Sequence, residues 1–392
     1  MLVERTINGV EIAVDASQPN EVYFESSFVS KYPKIIQGLT PNELCDIISK
    51  DVYTPLLLTW ELLDKCSFNC PFCYIVGHSH NRIVPFKKTK PHIEDLLDLG
   101  LLYCTLTGGE ATLHPEFFEI YSFLKQRGVI VEIYTNGSLI TDDLINLFVK
   151  FPPIKVEVSI YSTSEEQFKV NAGTKSFEAE KILDNILRLK AAGINVVCKT
   201  PLNKTTETEF EKIVDWCKFH GVTFYYSTNV DSGYDGESLK EFESSFEIRT
   251  SYESRKHLDI YKKYPSSFEN TSITSKTCYT CSIRKYGLHI NSNFELMPCS
   301  ETHLEESKSD ILQVGIKNSV LKYRTFVSQF IGKPIIGCSG CEASSICKMC
   351  TAKAVPVQNS SHETVDFKVP EGHCEEERRK IRSINEKIMA QA

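Results

Sequence analysis

The chain reads as an α/β protein: a partial (β/α)6 barrel with a small N-terminal extension before it and a Cys-rich domain after it. Three observations predict this. Between residues 55 and 230, short apolar runs alternate with amphipathic segments of helical period. Several of those helical segments stop at glycine, at Gly128, Gly193 and Gly221. The 15 Cys are unevenly spread: three lie within eight residues near position 70, and eight lie between 278 and 374.

The elements follow in order. Arg5–Val14 predicts a hairpin around Asn8-Gly9, a strong turn pair, and Pro41–Lys50 predicts a short helix. Residues 1–54 suit either a small accessory domain or an edge extension, and they are a candidate peptide-binding element. Strands are expected at Leu56–Leu62, Tyr103–Thr107, Val129–Tyr134, Lys155–Tyr161, Asn195–Thr200 and Phe224–Thr228. Helices are expected near His92–Asp98, Glu116–Arg127, Asp142–Lys150, Glu178–Ala192 and Glu207–His220, with Thr141 as an N-cap before Asp142 and Asp143. Six strand–helix units with short loops imply a parallel sheet with ligands at the C-terminal ends of its strands. The barrel is assigned to 55–235, a linker or helix to 236–277, the Cys-rich domain to 278–375 and a charged terminal helix to 376–392.

The first strand runs into Cys66-Ser-Phe-Asn-Cys70-Pro-Phe-Cys73-Tyr74. Three thiolates from one loop can hold three irons of a [4Fe–4S] cluster and leave the fourth iron open to a ligand; zinc is the alternative for such a triplet. Thr107-Gly-Gly-Glu110, Thr135-Asn-Gly137 and Ser162 follow the next three strands, at the same end of the sheet. Cys45, Cys104, Cys198 and Cys217 stand alone and read as small core residues.

Composition narrows the partners. With 44 Lys and Arg against 51 Asp and Glu, the formal net charge is −7 without a long basic run, which argues against nucleic acid. No apolar run approaches membrane-spanning length and no secretory signal opens the sequence, so a cytoplasmic, reducing compartment is expected, where clustered Cys bind metal more often than they pair.

Cys66-x3-Cys70-x2-Cys73 followed by Gly108-Gly109-Glu110 resembles the radical S-adenosylmethionine (SAM) enzymes over about residues 55–230. The resemblance implies a TIM-like partial barrel and a SAM-binding [4Fe–4S] cluster. It also implies one-electron cleavage of SAM to a 5′-deoxyadenosyl radical that takes a hydrogen atom from substrate. It places Tyr74, Thr107, Gly108, Gly109, Glu110, Asn136, Ser159 and Tyr161 around SAM. The two glycines suit that place because a backbone without Cβ can come close to a ligand. Where the family often carries an Arg for the SAM carboxylate, Gln167–Gly173 has none, and Lys169 is the nearest cation.

The later Cys resemble a SPASM domain, an iron–sulfur extension of radical SAM enzymes acting on peptides and proteins. Cys338-x2-Cys341-x5-Cys347 fits its pattern, whereas Cys350 follows after two residues instead of three, and Phe294 stands where the pattern has Gly five residues before Cys299. Two auxiliary [4Fe–4S] clusters are implied, one from Cys278, Cys281, Cys299 and Cys350, the other from Cys338, Cys341, Cys347 and Cys374. A zinc ribbon is the alternative for paired Cys-x2-Cys motifs.

The run from Ser159-Ile-Tyr161 through Gly173 and Ser176-Phe177, then Lys199-Thr200 and Tyr234-Asp-Gly236, is most similar to maturases of ribosomally made peptides. This implies a precursor-peptide substrate, a thioether or other side-chain cross-link, and a reductant such as flavodoxin or ferredoxin. Alternatives are a sulfatase-maturating formylglycine-forming enzyme, with Asp231 or Asp235 as catalytic base, and a peptide epimerase. From another class, a non-enzymatic iron–sulfur or zinc protein would explain the later Cys but not the open three-Cys loop.

Overall fold

The computed structural model describes residues 1–18, 22–24, 41–49, 53–75, 83–228, 230, 233, 238–263, 285–300, 302, 305–330, 335–336, 355–358, 365–368, 374–375, 378–379, 382–383 and 386. Asp231, Asp235, Cys278, Cys281, Cys338, Cys341, Cys347 and Cys350 lie outside these residues. The chain divides into two units, Met1–Phe242 with Lys285–Arg324, and Glu243–Arg284 with Thr325–Ala392.

The first unit opens with β1 (Leu2–Ile7), β2 (Val10–Asp15) and β3 (Val22–Phe24), an antiparallel sheet, followed by α1 (Pro41–Ser49). Asn8 and Gly9 take φ of 51° and 72°, the pair of positive values that a tight hairpin turn requires. The barrel then alternates as β4 (Leu57–Glu61), α2 (Phe86–Asp98), β5 (Tyr103–Thr107), α3 (Phe117–Gln126), β6 (Ile130–Thr135), α4 (Asp142–Lys150), β7 (Lys155–Ser159), α5 (Glu165–Ala172), α6 (Ala179–Ala191), β8 (Val196–Pro201), α7 (Phe210–Phe219) and β9 (Thr223–Ser227). These six strands pair in parallel in sequence order. The fold class is the one the alternation predicts, and Thr141 caps α4 by accepting from the Leu144 amide at 3.2 Å.

Two helices depart from expectation. α2 begins at Phe86 and runs through Pro91, because Phe86, Ile93, Leu96 and Leu97 bury one face and packing outweighs the proline penalty. α5 has only eight residues and a weak apolar stripe, so its period gives no signal.

After α8 (Phe246–Lys263), in the second unit, the chain returns to the barrel. There β10 (Gly287–Ile290) pairs in parallel with β4, and β11 (Glu295–Met297) and β12 (Ser309–Asp310) continue the sheet antiparallel. The result is a nine-stranded sheet, ordered β12-β11-β10-β4-β5-β6-β7-β8-β9. Phe294, which replaces the pattern's Gly, has φ 63°, the left-handed region that Gly favours. Its ring is 2% exposed and meets Trp60 at 6.0 Å and His92 at 5.9 Å. The glycine backbone shape is kept, and aromatic burial offsets its strain.

The second unit contains α8 and a three-stranded sheet of β13 (Ile335–Ile336), β14 (Val355–Gln358) and β15 (Val365–Lys368), with β15 central. Among the described residues no helix is long and apolar enough to cross a membrane.

The N-terminal extension packs across the end of the barrel where the strands begin. Ile7, Ile12 and Val14 join Leu44, Cys45 and Ile48 of α1 in one core with Leu56, Leu102, Tyr103, Ile130 and Tyr286. Arg5 adds polar closure, its guanidinium donating to the carbonyls of Leu97 in the last turn of α2 and Leu101 just after it.

Candidate active site at the C-terminal ends of the strands

The three-Cys loop leaves β4 and is laced by backbone bonds to the loop after β5. Leu62 N donates to Thr107 O at 3.0 Å, Gly109 N to Leu63 O at 2.8 Å and Glu110 N to Lys65 O at 2.9 Å. This lacing explains both glycines. A Cβ on Gly108 would stand 2.3 Å from Leu63 O, and one on Gly109 2.4 Å from Lys65 O. The close approach they permit is therefore to the chain's own cysteine loop. Residue pattern misses this contact because the two partners leave separate strands.

Gly173, at the end of α5, works the same way from the other side. It has φ 58°, and its Cβ would lie 2.0 Å from Asn69 O, while Asn69 N donates to Ala172 O at 2.9 Å. Aromatic edges complete the seating: Phe68 meets Phe168 and Phe177 at 5.6 and 5.7 Å, and Phe72 meets Tyr161 at 5.4 Å.

Glu110 is 1% exposed, and its carboxylate is a hub. One oxygen accepts from Thr112 N at 3.1 Å, Thr112 Oγ1 at 2.6 Å and Thr135 Oγ1 at 2.8 Å; the other accepts from Asn136 N at 2.7 Å. Burial raises its pKa, and these bonds work in the opposite direction. The side chain thus ties the end of β5 to the end of β6, and what Gly108-Gly109-Glu110 presents outward is main chain.

Asn136, held by that hub, donates through Nδ2 to Cys66 Sγ at 3.4 Å and to Ser67 Oγ at 2.9 Å. A hydrogen bond to a ligating sulfur tunes an iron–sulfur centre. Tyr161 hydrogen-bonds with Ser159 and with Cys70, so these two predicted SAM-side residues adjoin the cysteine loop. Lys169 instead pairs with Glu165 at 3.0 Å on α5. Ser162 donates to Glu209 at 2.8 Å, a loop-forming contact.

Burial pushes the Cys66 thiol up to about 11, and burial also raises the Cys70 thiol. Among the described residues no three His, Cys, Asp or Glu side chains could hold a single metal ion. A cubane, in which each thiolate takes its own iron, fits the donor set.

Two contacts have no signal in the sequence because their partners are remote in the chain. Tyr74 OH donates to Glu61 Oε1 at 3.2 Å, and His289 Nε2 of β10 lies 3.3 Å from the same oxygen, with both Glu61 and His289 buried. They link the cysteine loop to the hairpin that leads to Cys299. Cys299 is half-buried, 3.4 Å from Thr302 Oγ1, and Cys374 is half-buried in the second unit.

An open sheet with a three-Cys loop on its first strand, braced by Gly-Gly-Glu on its second, is the arrangement of a radical SAM domain. Residues 60–217 match the family model described as the Radical SAM superfamily. Mycofactocin maturase MftC of Mycobacterium tuberculosis is 26% identical over 155 residues, covering 39% of this chain and 40% of the maturase. The chain thus spans about two fifths of that relative. The sporulation killing factor maturation protein SkfB of Bacillus subtilis is 24% identical over 285 residues, 70% of this chain and 69% of SkfB. Streptococcus suis SuiB bound to precursor peptide SuiA superposes with TM-score 0.61 at 14% identity over 89% of this chain and 94% of SuiB. anSMEcpe with bound AdoMet does so with TM-score 0.63 at 16% identity over 86% and 99%. Both structural likenesses establish the fold.

Proposed function

We propose that this enzyme matures a ribosomally made precursor peptide, forming a thioether or other side-chain cross-link. The observation that carries the proposal is the extent of similarity to a killing-factor maturation protein: the SkfB alignment covers 70% of the chain, well beyond the length of residues 60–217. The likeness to SuiB with its precursor peptide is consistent with it at the level of fold.

The residues present suit the cofactors. Cys66, Cys70 and Cys73 would hold a [4Fe–4S] cluster whose fourth iron takes SAM, and together the two supply a hydrogen-abstracting 5′-deoxyadenosyl radical when bound. Asn136 donates to the Cys66 sulfur, and Gly108, Gly109 and Gly173 hold the loop against two neighbouring segments. Tyr74, Thr107, Ser159 and Tyr161 line the same end. Orientation of one substrate C–H bond and exclusion of water are what the protein adds. We assign two further [4Fe–4S] clusters to Cys278, Cys281, Cys299 and Cys350, and to Cys338, Cys341, Cys347 and Cys374, with flavodoxin or ferredoxin as reductant; Asp231 or Asp235 is the candidate base for the formylglycine-forming alternative.

Anaerobic reconstitution should give roughly twelve Fe per chain if all three sites hold four-iron clusters. With reductant, SAM and a precursor peptide, mass spectrometry should show loss of two hydrogens per cross-link. An aldehyde captured by a hydrazide would favour formylglycine formation, a reading that the anSMEcpe fold likeness keeps in view. Unchanged mass with deuterium uptake from solvent would favour epimerisation. Zinc in place of iron, or no SAM cleavage, would overturn the assignment.

A further inference from the structure

One set of residues on the inner face of the sheet is not needed to hold the cysteine loop. Register places Glu132 of β6 beside Lys155 of β7, Tyr134 beside Glu157, and Ser159 beside Lys199 of β8. The charges alternate along a ladder. Lys155 Nζ lies 2.7 Å from Glu132 and 2.9 Å from Glu157, and the other oxygen of Glu157 lies 2.9 Å from Lys199 Nζ. Both ammonium groups sit over the Tyr134 ring, at 5.8 and 5.2 Å. Parallel strands between layers are ordinarily apolar runs. As packing alone, hydrophobic side chains would serve this face at lower desolvation cost.

The ladder has unequal ends. Lys155 stands between two carboxylates, whereas Lys199 has one ion-pair partner among the described residues and a side chain 43% exposed. An ammonium has three N–H donors, so Lys199 retains capacity for a second acceptor. Lys199 is also the ladder member in register with Ser159, which hydrogen-bonds Tyr161 beside Cys70.

We propose that Lys199 is a specificity-determining residue that receives a carboxylate of the peptide substrate, an Asp or Glu side chain close to the reacting residue. The proposal rests on the peptide-maturase assignment. Depth favours substrate over the SAM carboxylate. The Lys199 ammonium lies against Glu157 and Tyr134, and Glu157 precedes Ser159 by two positions, away from the strand ends that carry the cysteine loop. The protein's net charge of −7 disfavours acidic ligands in general, so a preference for them must come from a local cation.

Two dye-labelled, acetylated and amidated decapeptide libraries test this on the full reconstituted chain. They are alike except that one carries Asp and Glu where the other carries Asn and Gln. Fluorescence anisotropy should show the acidic library binding about five- to tenfold more tightly, the size of a half-exposed ion pair. Lys199→Gln should erase that preference, Lys199→Arg should retain most of it, and SAM affinity by equilibrium dialysis should stay unchanged in both. Equal binding of the two libraries by wild type needs no variant and overturns the carboxylate assignment alone. A preference that survives Lys199→Gln, or SAM affinity that falls with it, also overturns it. If neither library binds wild type, the peptide-maturase assignment falls and takes this one with it.

Discussion

The two ends of the barrel sheet are closed by opposite means. Where the strands begin, Ile7, Ile12, Val14, Leu44 and Ile48 meet Leu56, Leu102 and Ile130 in an apolar plug that keeps its order by excluding water. Where the strands end, the closure is made of backbone hydrogen bonds, three glycines and one buried carboxylate. The first end tolerates rearrangement at a cost in stability. The second holds three thiols in place and has little room to yield, because its contacts are backbone against backbone. One sheet therefore carries its stability at one end and its chemistry at the other.

That contrast can be broken first at Gly109. Gly109→Ala puts a methyl 2.4 Å from Lys65 O, and the cysteine loop must shift. SAM cleavage should fall at least about a hundredfold, the cost attached to a displacement on the order of 1 Å at a reacting centre, with iron content reduced in parallel. Gly193→Ala is the control: it has φ 79° with nothing within 4 Å, so it should cost about 1 kcal/mol of stability and leave SAM cleavage unchanged. Near-normal activity in Gly109→Ala would show that the loop is not held as described.

The apolar end should respond through stability instead. Ile12 is 3% exposed, and Ile12→Ala should lose about 2–4 kcal/mol in denaturant unfolding. SAM cleavage per folded molecule should be unchanged. A proportional loss of activity in fully folded protein would mean that the two ends are coupled.

Lys125 sharpens the comparison further, as a cation buried near the plug. It is 1% exposed, it donates to Pro152 O at 2.9 Å, and burial lowers its pKa to about 8. Below pH 8 the ammonium is charged in folded and unfolded chains alike. Between pH 8 and the ordinary value of 10.5 only the unfolded chain holds the proton, so stability rises with pH across that window. The stability of wild type relative to Lys125→Met should shift toward wild type by on the order of 2 kcal/mol from pH 8 to 10.5. A flat difference in thermal melts over that range would refute the buried charge.

Much of this molecule is legible from residue pattern alone. Tyr103–Thr107 and Asp142–Lys150 fall where the apolar period puts them, since each has a stripe, a cap or a turn of its own. α5 is not legible, because it is held by its end against Asn69 more than by an apolar face. The thiols of the site are legible by spacing. The task of Gly108 and Gly109 is not, since its physical cause lies in the Leu63–Lys65 backbone that follows another strand. The pattern's missing glycine at Phe294 looks like a departure, yet the backbone keeps φ 63° and the ring has found Trp60 and His92.

By itself the sequence determined the alternation of the six barrel strands with their main helices, the three-Cys loop at the first strand's end, and the family these imply. All of these depend on neighbours within a few turns of chain. Only the tertiary structure decided that Glu110 is a brace between strands, that His289 reaches Glu61, and that Glu132, Lys155, Glu157 and Lys199 share one face. Those facts depend on which strands lie side by side and which way each pleat points, and register between remote segments is set by packing.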